Sequence, residues 1–121
     1  MATEYLTRDE IVDEFEFVED VDLKRGIDLQ GEDEGVRTKK GIVREYATED
    51  QVKVNGDVRA KSNESYQALL MIQRLYYAEV EDRRYRRLTM KEAMKIRGSD
   101  QNAIGRAIRE LSGDVENFLP N

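Results

Sequence analysis

The sequence predicts an α+β fold, a small antiparallel N-terminal sheet or hairpin packed against about three C-terminal helices. Three observations predict it. Apolar residues alternate between Phe15 and Leu23, which is the period of a strand. Asn55-Gly56 stands between short β-branched stretches, as in a tight hairpin. From Asn63 onward, apolar residues recur at helical spacing. At 121 residues the chain fits one domain. It divides into an acidic segment 1–35, an extended or hairpin region 36–61 and a helical region 62–121.

Taken in order, Thr7-Arg8-Asp9-Glu10 has the form of a capping box and opens a short helix through about Glu14. In the strand that follows, Phe15, Phe17, Val21 and Leu23 share one face, and Glu16, Asp20 and Asp22 the other. Gln30–Gly35 reads as a polar turn; its carboxylates lack the alternating spacing of a Ca²⁺ loop, so no metal is expected. Val36-Arg37-Thr38 could finish a strand, while Ile42, Val43 and Tyr46 suit a helical turn. Residues 51–59 then form the hairpin, with a loop as the fallback.

Asn63 is a good N-cap for a long helix with Tyr66, Leu69, Leu70, Gln73, Tyr76, Tyr77 and Val80 on its stripe. A basic linker, residues 81–88, follows. Thr89-Met90-Lys91-Glu92 forms a second capping box, and its helix closes at Gly98. Ser99 or Asp100 caps a last helix with Ala103, Ile104, Ala107, Ile108 and Leu111 inward, ending at Gly113. Val115, Phe118 and Leu119 lie beyond it in a polar tail.

Hydrophobic residues make up 39% of the chain and charged residues 38%, which leaves little apolar surplus for a thick core. The net charge of −6 is unevenly spread: residues 1–35 hold 13 acidic and 3 basic groups, the remainder 13 acidic and 17 basic. The N-terminus is acidic rather than basic-then-apolar, and no run approaches a membrane span, so a cytoplasmic protein without membrane contact is expected.

Cysteine and histidine are both absent. That removes thiolate nucleophiles, zinc–sulfur sites and the commonest general base at neutral pH. Neither GxxxxGK[ST] nor GxGxxG occurs. Paired carboxylates are plentiful but lie in acidic runs expected to be solvated, where burial would not raise their pKa. The expectation is a non-catalytic binding protein with no cofactor.

Two features could touch nucleic acid. Arg83, Arg84, Arg86 and Arg87 surround Tyr85, a pattern that suits phosphates with a stacked base; the plainer reading pairs them with Glu79, Glu81 and Asp82. Residues 89–111 have the ingredients of a helix-turn-helix bearing Arg106 and Arg109. Arg97 and Ser99 stand beside the glycine, where that motif usually has apolar residues. A DNA-binding regulator is therefore the alternative reading, and nucleic acid is the less expected partner. A DNA-mimicking inhibitor built on Glu10–Asp22 ranks last.

The C-terminal 80 residues resemble the tail assembly chaperones of tailed bacteriophages. The resemblance rests on a charged element at Gly41–Thr48, a helix of the form Tyr66-Gln67-Ala68-Leu69-Leu70-Met71-Ile72, and a short aromatic-basic bridge. A small helix opening at Leu88-Thr89 and a close at Ile108-Arg109-Glu110-Leu111-Ser112-Gly113 complete it. It implies a protein in the host cytoplasm that coats the tape measure protein while the tail tube polymerises, with several copies acting together as a homo-oligomer. An exposed apolar surface would serve such a client. Tyr77, Tyr85, Met90, Met94, Phe118 and Leu119 are the candidate partner-binding residues, with Phe118 and Leu119 preferred because they lie past the last helix.

Overall fold

The computed structural model describes residues 4–81 and 83–112. Leu6–Thr7 form a short strand, β1, and Arg8–Phe15 the helix α1. The expected capping box opens α1: the Thr7 hydroxyl accepts the Glu10 amide, and the Glu10 carboxylate accepts the Thr7 amide. Val18–Asp28 form β2 and Arg37–Arg44 form β3, with a 3₁₀ turn at Gly31–Asp33 between them. The helix α2 covers Thr48–Asn55. Next, α3 (Asn63–Gln67) runs into a π-helical stretch, Ala68–Arg74. Tyr76–Glu79 form β4, Arg84–Arg87 β5, Met90–Met94 α4 and Gly98–Ser112 α5.

The five strands make one antiparallel sheet in the order β1-β5-β4-β3-β2. The fold is therefore α+β around an antiparallel sheet. Successive side chains of a strand point to opposite faces, and apolar clusters lie on both. On one face Val21, Val43, Tyr76 and Ala78 meet Leu69, Leu70, Ile104 and Ile108 from the helices that follow β3. On the other, Ile42, Tyr77 and Tyr85 meet Ile11 of α1, with Phe15 packed beside them. Fully burying one such side chain contributes roughly 1.5–3 kcal/mol, so the first cluster dominates.

The arrangement differs from the sequence expectation in that the sheet is not confined to the N-terminal half. The helix expected from Asn63 to Val80 ends at Arg74, and Tyr76 and Tyr77 enter β4. The helical spacing misleads there because adjacent residues of a strand with two covered faces are both buried. The same cause turns Ile42 and Val43, read as a helical turn, into strand residues that serve opposite cores. Half of the basic linker, Arg84–Arg87, is strand β5.

The hairpin at Asn55-Gly56 is absent; those residues close α2 instead. Gly56 has φ −85°, not the positive φ that a type I′ turn requires. Glu49 and Asp50 in the first turn favour the helix. Phe15 ends α1 rather than opening a strand, and Glu16, at φ 61°, reverses the chain before β2. The α4 helix stops at Met94, so Gly98 opens α5 rather than closing its predecessor.

One glycine is required by a close approach. A Cβ on Gly41 would overlap the ring of Tyr76, which lies across β3 at that point. Among the described residues the buried Tyr76 hydroxyl has no hydrogen-bond partner.

Candidate protein-binding surface

Three buried polar links fix the helices and loops against the sheet. In the first, Arg86 of β5 holds Glu92 of α4 through two contacts of 2.9 Å and Asp33 of the 3₁₀ turn at 2.7 Å. Glu92 also accepts the amides of Gln30, at 2.7 Å, and Thr89, at 2.8 Å. Burial pushes the Glu92 carboxyl up, but the Arg86 guanidinium and those two amides outweigh it and hold it below its ordinary value. Tyr5 donates to Asp33 at 3.0 Å.

In the second, Arg44 pairs with Asp50, one contact being 3.0 Å, and its guanidinium also lies over the Phe15 ring. Asp50 in turn accepts the Ala47 amide at the start of α2.

The third link joins α5 to β2. Between Asp22 and Ile27 the register slips, so that four residues of β2 stand against Lys39 alone on β3. The Asp100 carboxylate accepts the amides of this bulge: Lys24 at 2.8 Å, Arg25 at 3.2 Å and Gly26 at 2.9 Å. These charges are committed to holding the fold together.

An open concavity lies beside α1, on the sheet face opposite the main core, with a volume of about 600 Å³. Asp20, Asp22 and Lys40 line it on the β2–β3 side, Arg83 and Tyr85 on the other. Tyr85 donates to Glu79 at 2.8 Å, and burial together with that carboxylate pushes its hydroxyl up to about 12. Arg8 meets Asp20 at 3.1 Å in an exposed pair, a kind that contributes at most about 1 kcal/mol. Among the described residues no group of three acidic side chains is placed to hold a metal ion.

A second, smaller groove of about 220 Å³ runs between α3 with its π-helical continuation and the pair α4 and α5. Ala68, Ile72, Ala93 and Met94 form its apolar part. Met94 is 47% exposed.

The six candidate partner-binding residues separate. Tyr77 and Tyr85 are buried against α1, Met90 is partly buried against the main core, and Met94 is open to solvent. Phe118 and Leu119 lie outside the described residues. The arginines of the alternative reading separate too. Arg86 is enclosed in its ion pairs, Arg84 stacks on the Tyr5 ring, and Arg87 lies over Tyr77. Arg83 and Arg106 are exposed, Arg109 half-buried.

Sequence reasoning missed three exposed apolar residues: Phe17, Val52 and Val58, the last 83% exposed. The sequence pattern places Phe17 on one strand face with Phe15, Val21 and Leu23, and the two valines in hairpin arms. Comparison with family models, with curated proteins and with solved structures finds no match to this chain. Among the described residues no helix is long and apolar enough to cross a membrane.

Proposed function

We propose that this chain is a non-catalytic protein-binding domain that serves as a tail assembly chaperone of a tailed bacteriophage, with the tape measure protein as its client. The observation that carries the binding reading is the exposure of Phe17, Val52, Val58 and Met94 on a surface otherwise dominated by charge. Exposed apolar side chains amid charge suit reversible contact with an apolar client while limiting self-aggregation. The small groove ending at Met94 offers such a client an apolar seat. The commitment of Arg44, Arg86, Glu92 and Asp100 to structural links supports a role without chemistry. The choice of client rests on the sequence resemblance.

The test is solubility. Expressed alone, the tape measure protein should collect in the insoluble fraction, and co-expression with this chain should bring it into solution. A client equally soluble with and without the chain would overturn the chaperone reading.

A further inference from the structure

The outer edge of β2 follows from the hydrogen-bond parity of the sheet. Arg44 donates its amide to Leu75, on the β4 side of β3. Residues of an antiparallel strand alternate in the neighbour they bond, so Val43 and Gly41 bond toward β2. Their partners are Glu19 and Val21. The amides and carbonyls of Val18, Asp20 and Asp22 therefore point away from the sheet. Among the described residues no strand pairs with β2 on that side.

Beyond Asp22 the edge is closed, because the Asp100 carboxylate occupies the amides of the bulge. What remains is a five-residue edge, Val18–Asp22, ending where Asp100 begins. Its exposed side chains, Asp20 and Asp22, are both acidic and line the concavity beside α1, and Asp20 stays 67% exposed although it meets Arg8 at 3.1 Å.

We propose that this edge binds an extended segment of a partner protein as a sixth, antiparallel strand, and that the segment carries lysine or arginine at alternate positions. The proposal rests on the protein-binding reading above and names the chemistry that one surface recognises. Charge selects the occupant. Cross-strand neighbours of opposite charge favour pairing, and like charges directly opposite disfavour it. A second copy of this chain, paired antiparallel about Asp20, would set Asp20 against Asp20. A basic segment instead places a cation opposite Asp20 and another opposite Asp22. Acidic residues on an edge strand guard against self-pairing, and here they also specify the partner that is admitted.

The test is a fluorescence anisotropy titration of the full chain with a labelled heptapeptide of alternating lysine and valine, beginning and ending in lysine. Lysines opposite Asp20 and Asp22 direct their own amides at β2, whereas the valine amides face solvent. Backbone N-methylation of the lysines should weaken binding at least tenfold, and N-methylation of the valines less than twofold. A D20K/D22K chain should lose the lysine peptide and bind the corresponding glutamate–valine peptide, with an unchanged circular dichroism spectrum. The absence of saturable binding, or equal loss from both methylation patterns, would overturn the proposal. Because this titration contains no client, it can fail while the solubility test succeeds, and the reverse.

Discussion

Asp100, wholly buried at the start of α5, takes the amide of Gly26 at 2.9 Å, across 74 positions of sequence. With the amides of Lys24 and Arg25 on the same carboxylate, this contact pins the longest helix to the bulge of the longest strand. Asp100→Ala leaves three amides without their acceptor. Loss of a buried hydrogen-bond partner costs about 1–3 kcal/mol, and urea denaturation should show a loss at or above the top of that range. Asp100→Asn should recover only part of it, since its amide group turns a donor toward donors.

Gly41 and Tyr76 are matched in shape. Gly41→Ala forces a Cβ into the tyrosine ring, and overpacking of this kind costs about 1–3 kcal/mol. Tyr76→Phe removes a buried hydroxyl that has no partner among the described residues, so its effect on the urea midpoint should be small or stabilising. A Gly41→Ala/Tyr76→Leu double variant should be more stable than the sum of its single variants implies, because the two positions touch.

Acid should weaken the fold through Glu92. Its carboxyl is held below the ordinary value of 4.5 in the folded chain, so its contribution is present above pH 4.5 and is lost as pH falls through the folded value. Glu92→Gln should lower stability at neutral pH, by leaving Arg86 short of a partner, and flatten the acid limb of the stability–pH profile. Urea midpoints measured from pH 7 down to pH 3 would check both. Parallel profiles for the two chains would remove Glu92 from the acid transition.

Met94→Ser and Val58→Ser alter exposed positions. Substitutions of this kind usually change stability by no more than about 0.5 kcal/mol. On the reading given above, each keeps its melting temperature and holds less client in solution than the unaltered chain does.

How far the sequence foretold these features depended on how local each signal was. The capping boxes at Thr7 and Thr89 formed as expected, because each is settled within four residues. Ile104, Ala107 and Ile108 turned inward as their spacing required. Val21 and Leu23 were also buried in β2, although the strand began three residues later than expected. What failed was every stretch whose pattern depends on what covers it. Tyr76-Tyr77 and Ile42-Val43 read as helix only if a strand has one dry face. Asp100 read as an N-cap because its ligands, the amides of Lys24 to Gly26, lie in a bulge with no sequence signature. Arg86 lay in a basic run read as solvated or phosphate-binding, yet its partners Asp33 and Glu92 come from two other elements.

The measurement that tests the central claim most directly is affinity capture of the tagged chain co-expressed with the tape measure protein, followed by light scattering of the eluate. The account predicts a stable complex with several copies of this chain per client, formed less well by Met94→Ser and Val58→Ser. Recovery of the chain alone, beside a client that stays soluble without it, would contradict the account.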